Sequence, residues 1–511
     1  MTLETGSPIK DQPGESAGSV NRLALGASVS LIGVMLGRGL EFAKQVALAR
    51  LLGIDAFGLY ALGWNLLRSI GVLLPVGLQN GVMHFGAGVW RKDDGALRHI
   101  LSRTILLSFA FGWVVTLILL ALAPWLAGVV FREPSFTLAL RVFALMLPFM
   151  GALRVASNAT RITQRMQFSV VAEEIAQSIL NLVLFAAFYL LGWRLMGAVV
   201  STVLSYAAAF AVAIYFVRRL FAAAWRAPAQ ATISTQQMLS YSTPTALAEA
   251  FGVIISRADR LFLGFYWPAA EVGVYQAASQ IAVIMAAILA AFNTILMPMI
   301  AEQYHRRDMR QLEELFRVNT KWGVYSIAPL VLVIVFAARD VMQVIFGPAY
   351  AGGATALQIL TIGQFINIAT GATGAILIMT GNQRTWLRLS LAIMIANLVL
   401  NLALVPRWAT TGAAVATAAT VGGLFAISLL IVRRILGIWP YDRRYLKGIA
   451  AGAGTALLLA GTRLLGLPPA GNLALTTAVA VAGFFGLLLL LGLDPEDRAF
   501  IGMLVRRARA R

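Results

Sequence analysis

The stretch LARLLGIDAFGLYAL, residues 48 to 62, returns as ADRLFLGFYWPAAEVGVYQA, residues 258 to 277, with Gly58 and Tyr60 matching Gly273 and Tyr275 at an offset of 215. Further matches follow in nearly the same register. ILNLVL at 179–184 answers IANLVL at 395–400, and GAVVST at 197–202 answers GAAVAT at 412–417, at offsets of 216 and 215. The pairs Arg218-Arg219 and Arg433-Arg434 also stand 215 apart. Four matches within one residue of the same offset are the mark of a chain built from two related structural halves.

The composition says what kind of halves they are. Of the 511 residues 59% are hydrophobic and only 12% charged, and the mean hydropathy is +0.80. Ordinary soluble domains carry about 25% charged residues, so the chain reads as a polytopic membrane protein. The first 21 residues are polar, without a cleavable targeting pattern, and read as a disordered cytoplasmic tail. Beyond them, fourteen apolar stretches approach the roughly 20 residues that a bilayer demands. They are expected at 22–48, 58–84, 101–124, 137–158, 169–191, 195–217, 239–264, 272–299, 321–345, 354–379, 387–405, 411–432, 447–465 and 471–492. Pro75, Pro148, Pro244, Pro298 and Pro329 fall inside these spans and should bend or break them.

Charge sets the orientation. The chain is +19, and with a cytoplasmic amino terminus 29 of its 41 Lys and Arg fall on the inner side. Only Arg132, Arg141, Arg194, Arg339, Arg407 and Arg463 fall outside, so both termini are expected in the cytoplasm. Basic inner loops explain the positive charge through anionic lipid headgroups, without nucleic acid. Each repeat holds six helices, an even number, so both enter the membrane in the same sense. The expected fold is therefore all-α: two parallel six-helix repeats about a pseudo-twofold axis along the membrane normal, plus two C-terminal helices. The expected divisions are a tail at 1–21, an N-lobe at 22–220, a linker at 221–237, a C-lobe at 238–434, helices 13 and 14 at 435–493 and a basic tail at 494–511. In helix 13, Gly448 and Gly452 suit close packing on a neighbour. Two such lobes with a cleft between them form a transporter architecture that works by alternating access.

On this six-plus-six-plus-two layout, the 48–62 stretch, and SRADRLFLG at 256–264 followed by VGVYQAASQIA at 272–282, the chain resembles a known family. It is similar to the polysaccharide-type flippases of the multidrug/oligosaccharidyl-lipid/polysaccharide exporter superfamily. The resemblance implies movement of an undecaprenyl-pyrophosphate-linked oligosaccharide from the inner to the outer leaflet of a bacterial plasma membrane, for O-antigen, capsule or exopolysaccharide assembly. It also implies membrane lipids as surroundings, polysaccharide polymerase machinery as a candidate partner, and a monomer. A cation-coupled multidrug exporter and a peptidoglycan-precursor flippase of the same superfamily are the alternatives.

A pyrophosphate crossing hydrocarbon needs fixed cations, and charges within spans are costly enough to mark function. The first helix carries Arg38, Glu41 and Lys44, the second Arg68, and the seventh Glu249, Arg257, Asp259 and Arg260. Adding 215 to Glu41, Phe42, Lys44 and Gln45 gives Ser256, Arg257, Asp259 and Arg260, so the two charged stretches occupy equivalent depths and are expected to face each other. Arg38, Arg68, Arg257 and Arg260 are the candidate phosphate ligands, with Lys44 beside them. Glu41, Glu249 and Asp259 would balance the empty cleft or carry a coupling proton. The competing reading is pairing within a helix, Arg38 with Glu41 and Arg257 with Asp259 or Glu249. Glu173 and its repeat equivalent Arg388 are candidates for a cytoplasmic gate, or simply interfacial residues.

Several function classes fall away. The chain has no cysteine and three scattered histidines, His84, His99 and His305, so neither a metal nor a redox cofactor is expected. External loops of about a dozen residues or fewer leave no room for a glycosyltransferase, polymerase or ligase site, and no enzyme activity is expected. A cationic-drug exporter would call for a carboxylate-rich cleft, whereas the candidates here are five bases and three acids.

Overall fold

In a computed structural model, the structure describes residue 33 and residues 35–231, 233–462 and 465–498. The side chains of 244–256, 287–292 and 294–295 lie outside that description. The tails at 1–21 and 499–511, most of the first half of the expected first span, and the Glu249 side chain are therefore outside the described residues.

The described chain is all helical. In order, α1 occupies residues 35–52, α2 Ile54–Gly71, α3 Leu78–Val89, α4 Asp94–Trp125, α5 Phe136–Ala144, α6 Leu147–Thr160, α7 Gln167–Val170, α8 Gln177–Leu190 and α9 Arg194–Leu220. There follow α10 Ala222–Arg226, α11 Thr235–Tyr266, α12 Ala269–His305, α13 Met309–Phe346, α14 Ala354–Ala369 and α15 Thr373–Met379. The last three are α16 Gln383–Leu436, α17 Tyr445–Thr462 and α18 Pro469–Leu490. Seven helices among the described residues are long and apolar enough to cross a membrane, or eight if the pair bent by 41° at residues 370–372 is one broken span. The protein is a multi-pass membrane protein.

Proline acts at some of the expected places. The second expected span is split into α2 and α3 after Pro75, where Val76 and Gly77 take positive φ values of 48° and 73°. The fourth is split into α5 and α6 just before Pro148. Pro298 and Pro329 are carried inside α12 and α13. The 54 residues of α16 are two antiparallel helices rather than one rod. Asn397 Nδ2 donates to Thr420 Oγ1 at 2.9 Å, although 23 residues of straight helix would part them by about 35 Å. The reversal is at Ala409 (φ 46°, ψ −130°), and Gly412 lets the returning strand of helix press on the Leu404 carbonyl. The expected spans 387–405 and 411–432 are the two arms.

The repeat is visible in hydrogen bonds. Asn181 donates to Ser205 at 3.2 Å, and its equivalent Asn397 donates to Thr420, the equivalent of Ser205. Each bond ties the two arms of a helical hairpin through otherwise apolar surroundings, where an amide and a hydroxyl must satisfy each other.

The chain divides into two compact units. Unit 1 comprises residues up to 44, 66–129 and 133–253, and unit 2 comprises 45–65, 130–132 and 254–511. The core of unit 1 joins Leu78 and Val82 of α3, Leu97, Ile100 and Leu101 of α4, Leu153 and Ala156 of α6, and Ala213 and Val217 of α9. In unit 2, residues 45–65 pack on the second repeat's helices. A Cβ on Gly58 would overlap the Ala269 carbonyl, one on Gly273 would lie 2.7 Å from the Ile54 carbonyl, and Tyr350 donates to the Ala49 carbonyl at 3.0 Å. Arg50 donates to the Val344 and Ile345 carbonyls, capping the exposed end of α13 with a cation.

Helices α17 and α18 dock on α13. Gly448 meets the Tyr325 ring, which packs edge-on to Phe484 at 5.9 Å, whereas Gly452 meets nothing within 4 Å. The segment after α18 opens with carboxylates folded back onto α13. Lys321, almost wholly buried, reaches Asp494 at 3.1 Å, Glu496 at 2.6 Å and Asp497 at 3.0 Å. Lys447 adds a bond to Asp494 at 2.6 Å, and Arg444 bridges Glu314 and Glu496 at 2.6 and 3.0 Å. Burial disfavours the Asp494 charge, but the bonds from Lys447 and Lys321 outweigh it and hold that carboxyl below its ordinary range. The same competition, with Lys321 and Arg444 as the cations, lowers Glu496.

Candidate intramembrane substrate site

In unit 2, the polar side chains of α2, α11, α12 and α16 form one connected network. Asp259 is buried and accepts from the Arg260 backbone at 2.8 Å, Arg260 Nη1 at 2.9 Å, the Tyr275 hydroxyl at 2.6 Å and Thr417 at 3.2 Å. Arg260 also donates to neutral groups, from Nε to Gln276 Oε1 at 2.8 Å and from Nη2 to Ser279 at 2.7 Å. Its guanidinium also lies 5.4 Å from the Tyr275 ring centre. Arg257 donates to Asn65 Oδ1 at 2.6 Å, and the Asn65 amide donates to Gln276 Oε1 at 3.1 Å. Gln276 thus joins the two arginine branches. Arg257 and Arg260 can cooperate because residues three apart share a helix face.

Of the pairings weighed from the sequence, Asp259 takes Arg260 as its ion partner rather than Arg257. The network holds two guanidiniums against one described carboxylate. Thr417 illustrates how the repeats diverge. Its equivalent Thr202 accepts a bond from Asn181 at 3.0 Å, while Thr417 turns to Asp259.

Unit 1 holds a second cluster. Lys44, wholly buried, pairs with Glu41 at 2.5 Å, whereas Arg38 is exposed on α1. Tyr206 on α9 lies within electrostatic reach of Arg68, Glu41, Arg154 and Glu173. Glu173 stands in a π-helical turn, Val171–Ala176, of the kind that often re-aims side chains at functional sites. Its ion partner is Arg161 at 3.7 Å, and Arg388 is exposed on α16 in unit 2. The neighbouring Glu174 packs on Gly37 of α1, where a Cβ would be only 2.7 Å from its own.

Sequence reasoning missed several participants. Arg154, in the middle of α6, is not among the charges that the sequence singles out. Tyr206, Asn65 and Gln276 carry no formal charge, so a search for intramembrane charges passes them by. The signal that could have found Gln276 is its place in the repeated G-x-Y stretch, directly after Tyr275.

A family model described as polysaccharide biosynthesis protein matches residues 23–303, more than half of the chain. The chain belongs to that family. The MatE family model matches residues 244–403, which overlaps the first match and extends into the second repeat. Among curated proteins, the probable low-salt glycan biosynthesis flippase Agl15 of Haloferax volcanii is 21% identical over 50% of this chain and 53% of its own. The capsular polysaccharide biosynthesis protein CapF of Staphylococcus aureus is 20% identical over 35% of this chain and 45% of its own. The chain thus spans about half the length of the curated relatives it matches. Among solved structures, the lipid II flippase MurJ in an inward closed conformation superposes with a TM-score of 0.70 at 12% identity, covering 93% of this chain and 99% of that one. An inward-facing multidrug resistance MATE transporter gives 0.61 at 17% identity, covering 80% and 98%. Likeness at such identity establishes a shared fold and nothing finer.

Proposed function

We propose that this protein flips a polyprenyl-pyrophosphate-linked oligosaccharide, of the undecaprenyl type, from the inner to the outer leaflet of a bacterial plasma membrane by alternating access. In this reading both termini are cytoplasmic, the protomer works alone, the expected N- and C-lobes are the moving bodies, and a polymerase takes over the delivered unit. The observation that carries the reading is the way the guanidiniums of α11 are partnered. Arg257 donates to Asn65, and Arg260 donates to Gln276 and Ser279, all of them neutral acceptors. A phosphate oxygen makes a stronger, charge-assisted bond than an amide or hydroxyl oxygen, so an anionic headgroup can displace these partners. Glu41 and Asp259 then hold the cations in place in the empty protein, and Asp259, with Glu249, is a candidate carrier of a coupling proton. Glu173 and Arg388 remain the proposed inner gate. A cationic drug would meet two guanidiniums against one carboxylate among the described residues of the unit 2 network, which disfavours the multidrug alternative.

The test is deletion of the gene. The expected outcome is loss of surface polysaccharide with its lipid-linked precursor retained on the inner leaflet and unchanged drug sensitivity. Drug hypersensitivity with normal polysaccharide would instead favour the multidrug exporter.

A further inference from the structure

Arg154 stands six residues before the end of α6, and Glu173 six residues after the start of α7, across the connection at 161–166. At 1.5 Å per residue both lie about 9 Å in from that connection, which the excess of Lys and Arg leads us to expect at the cytoplasmic face. Glu173 feels the charges of both Arg161 and Arg154, and Arg154 also acts on Tyr206. Yet Arg154 Nη1 is buried and has no hydrogen-bond partner among the described residues. One turn further along the same face, the buried Ser157 hydroxyl is in the same condition. A buried guanidinium nitrogen and a buried hydroxyl with unused donors, one turn apart on one helix face, cost free energy that only a ligand, an ion or water can return.

We infer that Arg154 and Ser157 form an anion-binding site for a phosphate-class group, placed in unit 1 near the connection at 161–166. The inference rests on the anionic-cargo reading above and deepens it, because it assigns where the pyrophosphate first engages. In the empty protein Glu173 supplies the counter-charge to Arg154. An arriving phosphate replaces it, and Glu173 falls back on Arg161, whose loose 3.7 Å pairing leaves room to tighten. The site thus exchanges one anion for another without leaving a bare cation in the apolar interior.

The experiment uses the full chain in nanodiscs of neutral lipid, with farnesyl pyrophosphate and inorganic pyrophosphate as probes in calorimetric titrations. Arg154→Gln should weaken both probes by about tenfold or more, as expected for a lost charge-assisted bond, with Arg154→Lys between the two. Glu173→Gln should tighten both by removing the competing anion, and it serves as the deciding variant should Arg154→Gln fail to fold. Wild-type affinity in folded Arg154→Gln, or in Glu173→Gln, overturns the inference and leaves the flippase reading in place. Weakening confined to farnesyl pyrophosphate would transfer the role of Arg154 to the prenyl chain and likewise overturn it. A wild-type protein that binds neither probe would remove the anionic-cargo reading as well.

Discussion

Gly58 and Gly273, equivalent positions of the 215-residue repeat, are packed backbone against backbone: a Cβ built on Gly273 would lie 3.1 Å from the Gly58 nitrogen and 3.2 Å from its Cα. Elements related by a twofold axis touch at equivalent residues only where the axis passes between them. The repeated spacing G-L-Y and G-V-Y, seen first as a sequence match, is therefore a point at which the backbones of α2 and α12 meet. Tyr60 and Tyr275, two residues on, are both wholly buried beside that contact.

Enlarging either glycine should drive these helices apart. Gly58→Val and Gly273→Val are each expected to cost about 1–3 kcal/mol by overpacking. Gly423→Ala in α16, where an added Cβ meets nothing within 4 Å, should be neutral or slightly stabilising. Thermal unfolding of the purified variants checks the difference, and equal stability of Gly58→Val and Gly423→Ala would contradict the contact.

The helix pattern and the repeat were legible because hydropathy over a bilayer's thickness and a fixed offset are both one-dimensional properties. The breaks were less so. Pro75 and Pro298 look alike in the sequence, but only Pro75 is followed by residues in the left-handed region, and what selects between a bend and a break is the packing around it. The charged candidates Arg257, Asp259 and Arg260 do come together, since they neighbour one another on α11. Asn65 and Gln276 were not legible, because an uncharged amide in a span is marked as part of a network only once its three-dimensional neighbours are known. The clamp on Lys321 was hidden for a related reason. Its carboxylates arrive from 173 to 176 residues away, in a segment whose net charge reads as basic.

The clamp predicts a pH dependence with a definite sign. Asp494 and Glu496 have folded-state values below their unfolded ones, so their contribution is complete above the ordinary carboxylate range, near pH 4, and is lost as pH falls through the lowered values. Thermal stability should therefore be flat near neutrality and fall in acid, with a smaller acid-dependent fall in Asp494→Asn. An identical acid profile in that variant would contradict the assignment.

Lys321→Met removes the cation from three carboxylates. Because the lysine is buried while its partners are partly hydrated, the loss is expected at about 3 kcal/mol, the lower end for breaking a buried pair. Combining it with Asp494→Asn and Asp497→Asn should recover part of that loss, because fewer carboxylates are then left without a partner. Equilibrium unfolding of the single and triple variants measures both, and strict additivity would show that the groups do not interact.

Asp259 and Arg260 should likewise be coupled. Arg260→Gln leaves Asp259 with the Tyr275 and Thr417 hydroxyls, and Asp259→Asn leaves Arg260 with Gln276 and Ser279, so each single variant should remain folded. A double-mutant cycle is expected to give an interaction of about 1–3 kcal/mol in stability. Transport, by contrast, should fall steeply with Arg260→Gln, since the lost group is the proposed phosphate ligand. Wild-type transport in that variant would reduce the network to a structural one.

The most direct measurement of the central claim is translocation itself, in proteoliposomes containing the purified chain and a polyprenyl-pyrophosphate-linked oligosaccharide whose sugar is accessible to an external lectin or hydrolase. The account predicts that the wild type exposes the inner-leaflet pool to the probe, that a variant carrying both Arg257→Gln and Arg260→Gln does so at the rate of protein-free vesicles, and that Arg306→Ala, on the exposed Glu302 pair, behaves as wild type. Protein-free rates with the wild type, or an undiminished rate with the double arginine variant, would contradict it.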